Sequence, residues 1–161
     1  MEGPFEAIRG VVSVESGYTG GPERQPAYMA VAKGQTGHFE AVRVVYDPAV
    51  VTYPRLLKTF WQNIDPTQAN GQFCDKGDQY RSAIFVEGET ALKAAEASKE
   101  SVELTLGQPV VTPILPVSDF WLAEDYHQDF YKKSPQRYRS YRAGCGRDKR
   151  LRQLWGRDAG Q

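Results

Sequence analysis

The sequence predicts an α+β sandwich, a sheet carrying helices on one or both faces, in a single domain. Three observations lead there. Segments of strand and helix character mix without a strict βα alternation, several strand segments are short, and the 161 residues contain neither an internal repeat nor a linker that would divide them. A doubly wound parallel sheet is disfavoured further because GYTGG at 17–21 has no helix start behind it and reads as a plain turn, not a phosphate loop.

Taken in order, Met1–Gly10 reads as a helix ending at the glycine, with Phe5 and Ile8 spaced to face a core. Val11–Tyr18 follows as a strand with Val12, Val14 and Tyr18 on one face, and Thr19-Gly20-Gly21-Pro22 breaks it. A short helical piece, Met29–Ala32, leads through Gly34-Gln35-Thr36-Gly37 to a strand at Phe39–Tyr46, closed by Asp47-Pro48. Tyr53–Asn63 is helical by period, with Leu56, Leu57, Phe60 and Trp61 in one stripe. Residues 66–80, PTQANGQFCDKGDQY, show no apolar period, and so long a loop in a compact domain is functional or disordered. Ser82–Val86 returns to a strand, Glu89–Leu106 is the longest helix, and Val110–Pro116 is a proline-interrupted edge strand. Ala123–Tyr131 reads as a helix with Ala123, Tyr126 and Phe130 inward. After Pro135 the chain is expected to be basic and irregular until a last helical turn near Leu151, Leu154 and Trp155.

Composition narrows the partners. Lysine plus arginine and aspartate plus glutamate each number 20, so the formal charge is zero and neither nucleic acid nor an anionic membrane is expected as a main partner. No apolar run approaches a membrane span and no signal peptide is expected at the start. Two cysteines, Cys74 and Cys145, are too few for a secreted disulfide scaffold, so the expected setting is reducing and cytoplasmic.

One residue in the Phe39–Tyr46 strand is out of place. Alternation puts Glu40 on a face with Val42, Val44 and Tyr46, where a carboxylate is costly unless it is paired, protonated or at the mouth of a cavity. The plainer reading is a strand-end glutamate that reaches solvent past His38. Metal chemistry is poorly supported: His38 and His127 are the two histidines, and neither a Cys-x-x-Cys pair nor a His-Glu-x-x-His helix is present. No nucleophile elbow appears, and Asp75 beside Cys74 works against an activated thiolate there. The more suggestive set is Glu40, Tyr28, Asp75 and Tyr80. A carboxylic acid held on an apolar strand face can stay protonated near neutrality and deliver a proton, while phenols in polar turns can donate to an oxygen. Taken singly, each has a bland reading: tyrosines are common at core edges, and Asp75 before Lys76-Gly77 suits a turn.

Five blocks, GYTGG at 17–21, TGHFEAVRVVYDP at 36–48, FWQNIDPTQANGQFCDKGDQYRSAIF at 60–85, FWLAEDYHQDFYKKSP at 120–135 and the C-terminal YRAGCGRDKRLRQLWG, resemble the peptide methionine sulfoxide reductase A family over nearly the whole chain. The resemblance implies a two-layer α+β sandwich on a mixed, largely antiparallel sheet with flanking helices, of ferredoxin-like kind. It implies reduction of the S epimer of methionine sulfoxide, free or in proteins, by a thiolate that becomes a sulfenic acid. A second cysteine then closes a disulfide that thioredoxin or another dithiol reduces, with no cofactor, and a monomer is expected. By the same resemblance Glu40 matches the acid that protonates the sulfoxide oxygen, Tyr28 and Tyr80 match the tyrosines that hydrogen-bond it, and Asp75 matches an acid that orders the site. Cys145 lies where a C-terminal resolving cysteine is expected, and Cys74 is a second redox candidate.

One departure matters. The family's nucleophile lies in a Gly-Cys-Phe-Trp motif that ends a strand and opens a helix, and Met1-Glu2-Gly3-Pro4-Phe5-Glu6 resembles the helix just after it. The domain at 1–161 is therefore expected to be an N-terminally shortened member, for instance through an internal methionine taken as the start. The alternatives are a non-catalytic module that binds methionine sulfoxide or a protein partner, and a reductase in which Cys74 substitutes as nucleophile with Cys145 resolving it.

Overall fold

The computed structural model describes residues 1–160, and its longest ladder is an antiparallel pair, β1 (Val11–Thr19) with β2 (Phe39–Tyr46). The β2 strand alternates as its sequence predicts. Val42, Val44 and Tyr46 pack toward a cluster of Phe5, Val51 and Leu56, while Arg43 on the other face pairs with Glu15 at 2.7 Å and lies over Phe120. The first strand differs from expectation. Val11 pairs with Tyr46 and Ser13 with Val45, so Val12 is an extra residue in a bulge. The bulge turns Val12 out to 71% exposure and lets Val11 and Val14 both face the core.

At its far edge β1 pairs with β7 (Trp121–Leu122) through Gly17 and Tyr18. Glycine is required at 17: a Cβ there would lie 2.3 Å from the Phe120 ring and 2.4 Å from the Trp121 carbonyl oxygen. A helical layer lies against the β2 face. The short α1 (Glu2–Glu6) contributes Phe5, and α3 (Tyr53–Gln62) contributes Leu56. The helix α2 (Tyr28–Ala32) buries Val31 against Tyr18 and Ala123. The larger core joins Leu57, Trp61 and Ile64 to Ile84 and Val86 of β5 (Ile84–Val86) and to Ala95 and Val102 of α4 (Gly88–Leu106). The α3 and α4 helices are tied by Trp61 Nε1 donating to Ser98 Oγ at 2.9 Å.

The strand expected at Val110–Pro116 is shorter, β6 (Ile114–Pro116), and runs parallel to β5. Across the described residues the sheets are therefore β2-β1-β7, antiparallel, and β5-β6, parallel, with a small hairpin of β3 (Gly71–Gln72) and β4 (Asp75–Lys76). This is the α+β class that the sequence predicts, with the mixed, largely antiparallel strand pairing that the family resemblance implies.

Two C-terminal expectations are corrected. Residues 123–129 are not helical; only α5 (Phe130–Lys133) is. The amide of Gln128 holds this stretch to β1 instead, accepting from Ser16 N and donating to the Ser16 and Ala123 carbonyls at 2.8–2.9 Å. Ala123 is buried as expected, but Tyr126 is 59% exposed. The supposedly irregular segment after Pro135 is α6 (Pro135–Gly144), with proline at its first position, followed by α7 (Arg147–Trp155). Its weak apolar stripe hid it; the helix is held by contacts to the loop below rather than by burying a face of its own.

Between the two larger sheets lies a cleft of about 500 Å³. Its walls include Val42, Val44 and Tyr46 of β2, Leu57 and Phe60 of α3, and Ile84 of β5. Among the described residues the β2 strand is paired on one side only, as are both strands of the β5-β6 pair.

Candidate active site

The site is built at the end of β2. Tyr18 and Glu40 are register partners across the β1–β2 ladder, so their side chains share a face. Glu40 lines both the large cleft and a second cavity of about 170 Å³, which it shares with Tyr18, Ala123 and His127. Glu40 is solvent-exposed, as the plainer strand-end reading expects, whereas His38 near it is buried at 2% exposure. The surrounding walls nevertheless displace much of its water. That desolvation, with the Asp75 charge adding to it, pushes the Glu40 carboxyl up to about 7.

Asp75 is delivered by the 71–76 hairpin. Gly71 (φ +144°) is needed because a Cβ would meet the Asp75 carbonyl oxygen at 2.0 Å. The turn holds Phe73 at φ 55°, and Gln68 clamps it: Gln68 Oε1 accepts from Phe73 N at 2.6 Å and Gln68 Nε2 donates to Phe73 O at 3.2 Å. A 3-10 turn, Asp78–Tyr80, then carries Tyr80 to the cleft wall that Glu40 and Asp75 also line. Burial and the Glu40 charge raise the Tyr80 phenol above its ordinary range, so it stays a hydrogen-bond donor at neutral pH.

Tyr28 opens α2 and is reached through aromatic contacts. Its ring lies 4.4 Å from His127, which lies 4.4 Å from Tyr126. Glu40, Asp75 and Tyr80 thus meet at one cleft from three separate elements, while Tyr28 is not among the residues lining it and is linked to the site electrostatically, through Tyr80. Sequence reasoning did not single out Glu124 and Tyr18. Glu124 accepts from Tyr18 Oη at 2.8 Å and from Tyr28 N at 3.2 Å, and so couples β1 to α2. Although burial works against it, hydrogen bonds from the backbone and from Tyr18 hold Glu124 below the usual carboxylate range. The available signal was the density of acids and aromatics in EDYHQDF, which a helical reading dispersed over a surface.

Cys74, in the turn of the 71–76 hairpin, and Cys145, just after α6, form a disulfide with Cα atoms 5.1 Å apart. The α7 helix locks the same loop from beside it. Arg147 lies 4.8 Å over the Phe73 ring and donates to Asn63 O at 2.7 Å, and Arg150 pairs with Asp65 at 2.6 Å. No group of three or more His, Cys, Asp or Glu among the described residues is placed to hold a metal ion.

A family model described as peptide methionine sulfoxide reductase matches residues 1–159. The chain belongs to the peptide methionine sulfoxide reductase family. It is similar to a protein of Bacillus licheniformis named peptide methionine sulfoxide reductase MsrA, 46% identical over 159 residues, which cover 98% of this chain and 88% of that relative. It is as similar to MsrA 2 of Caulobacter vibrioides, 46% identical over 97% of this chain and 80% of that one. Among solved structures, reduced Mxr1 of Saccharomyces cerevisiae superposes with a TM-score of 0.75 at 35% identity, covering 79% of this chain and 74% of that one. Methionine sulfoxide reductase A of Corynebacterium diphtheriae gives 0.73 at 34% identity, over 83% and 69%. In this member of the peptide methionine sulfoxide reductase family, the positions matched from sequence, Glu40, Asp75 and Tyr80, face one cleft, while Tyr28 packs on His127, which lines the smaller cavity with Glu40.

Proposed function

We propose that this chain supplies the acid half of thiol-dependent reduction of the S epimer of methionine sulfoxide, free or in proteins. The observation that carries this reading is Glu40, a carboxyl lifted to about 7 on a cleft wall shared with Asp75 and Tyr80. A thiolate attacks the sulfoxide sulfur while protonated Glu40 gives its proton to the sulfoxide oxygen, and Tyr80 and Tyr28 donate to that oxygen. The oxygen passes to the thiol sulfur, leaving methionine and a sulfenic acid. Condensation with a second thiol releases water and forms a disulfide, and thioredoxin or another dithiol returns two electrons and two protons.

The attacking thiol is proposed to come from the Gly-Cys-Phe-Trp segment that the family resemblance implies, a motif these 161 residues do not contain. Two features support that placement. The cleft between β2 and β5 is lined largely by apolar side chains, and Met1 is among the residues that line it. The accessible Cys74–Cys145 pair suits the dithiol end of the cycle, since Cys74 is exposed. A disulfide of this kind in a reducing cytoplasm is transient and redox-active. A monomer is proposed, since the acid-site side chains Glu40, Asp75, Tyr80 and Tyr28 all come from one chain.

The test is an assay of each methionine sulfoxide epimer with dithiothreitol, on the 161 residues and on a chain extended upstream through an in-frame Gly-Cys-Phe-Trp segment. Turnover of the S epimer alone by the extended chain is expected. Saturable binding without turnover by both chains would favour the binding-module alternative. If no such coding sequence lies upstream of Met1, the shortened-member reading fails.

A further inference from the structure

The Cys74–Asp75 step of the loop meets α6 twice. Cys145 is disulfide-bonded to Cys74, and one helical turn earlier Tyr141 donates its hydroxyl to Asp75 Oδ2. Tyr141 and Cys145 are spaced i, i+4, on the same helix face, and the Cys145 amide donates to the Tyr141 carbonyl at 2.9 Å. Adjacent loop residues are thus met by helix residues one turn apart, a two-point attachment that fixes both the height and the rotation of α6 over the loop. We propose that Tyr141 is a positioning residue of the acid site: clasped in place by the Cys74–Cys145 disulfide, it holds the Asp75 carboxylate on the cleft wall that Glu40 shares. The proposal rests on the reading of Glu40 as proton donor.

The physical case turns on what Asp75 does without its tether. Two carboxyl groups facing one cleft repel when both are ionised, and Asp75 is only half-buried, so hydration competes for it. Untethered, Asp75 turns toward water and away from Glu40. The hydrogen bond from Tyr141 opposes that swing. Burial, and next the bond to Asp75, push the Tyr141 phenol well above its ordinary range, so it remains a donor throughout the working pH range. The cavities that Glu40 lines also hold Tyr18 of β1, Arg43 of β2, Tyr80 and Arg81 from the 3-10 turn region, His127, and Arg147 at the start of α7. Of these only Arg147 follows directly on α6, and the loss of a cation from the cleft would raise the Glu40 midpoint, opposite to the loss of Asp75. Reduction of the clasp by a dithiol, two electrons and two protons converting the bridge to two thiols while the dithiol becomes a disulfide, frees α6 and with it Tyr141. The redox state of the cysteine pair then feeds back on the acid.

The experiment is a carbon-13 NMR titration of glutamate side-chain carboxyls in the oxidised chain, with the Glu40 resonance assigned by its loss in Glu40→Gln. Tyr141→Phe removes one hydroxyl from a side chain that is 44% exposed and leaves the ring in place. Its Glu40 midpoint is expected to fall by about one pH unit. Asp75→Asn is expected to lower the midpoint as well, and adding Tyr141→Phe to it should produce no further change. Reducing the wild-type chain with dithiothreitol should move the midpoint downward without any substitution, which keeps the test independent of whether a variant folds. An unchanged or raised midpoint in Tyr141→Phe, or an additional fall in the Asp75→Asn background, overturns the proposal. The titration reads the acid directly and needs no turnover, so its outcome is separable from that of the epimer assay.

Discussion

Glu40 shows how one side chain's surroundings define a chemical role. Because its folded-state carboxyl is raised from an ordinary 4.5 to about 7, its ionisation opposes folding. Stability tied to this group is fully present below the ordinary value and is lost as pH rises toward 7. Glu40→Gln should therefore melt above the wild type near about pH 8 and match it near about pH 4, as scanning calorimetry at the two pH values would show. In a chain extended through a Gly-Cys-Phe-Trp segment the same substitution would remove the proton, and S-epimer reduction should fall by about 10²–10⁴-fold, measured as kcat/KM. Tyr80→Phe should retain folding and lose a smaller part of that rate, because one donor to the oxygen is missing while the acid remains.

At the scale of elements, α6 and α7 are held by the loop they cover. Asp65 is 5% exposed, and it accepts from Arg150 of α7 and from Thr67. Burial alone would raise its carboxyl, but those hydrogen bonds outweigh it and hold the group below the ordinary aspartate range. Stability from this pair is thus present above the ordinary aspartate value and is lost as pH falls through the lowered one. Asp65→Asn should destabilise the chain by about 1–3 kcal/mol at neutral pH in urea unfolding, and the difference should shrink in acid. The disulfide spans a sequence separation of 71 residues. By chain-entropy reasoning its reduction removes about 4 kcal/mol, visible as a lower urea midpoint with dithiothreitol present.

For the whole molecule the decisive feature is the open cleft between β2 and β5. Its lining of Val42, Val44, Leu57, Phe60 and Ile84 is the kind of surface that a paired strand covers, and the unpaired β2 edge offers backbone donors and acceptors. A chain extended upstream through the nucleophile segment should be more soluble and melt higher than residues 1–161 alone. Equal melting temperatures for the two would refute this.

Period and punctuation were enough to locate β2, α3 and α4 to within a residue or two, because each carries a strong apolar pattern between clear stops. They also marked Glu40 as a carboxylate on an apolar face. The bulge at Val12 was not legible, since an extra residue changes which side chains face inward without changing composition. Nor was α6, whose arginines and tyrosines lack an apolar stripe and whose position comes from Cys145 and Tyr141 meeting the loop. By itself, the sequence determined the α+β class, the family, and the residue types able to move a proton. Only the tertiary structure decided that Glu40, Asp75 and Tyr80 face one cleft, that Cys74 is bonded to Cys145, and that Glu40 is desolvated enough to hold its proton near neutrality. Those are distance and dielectric effects between segments far apart in the chain, and no local pattern encodes them.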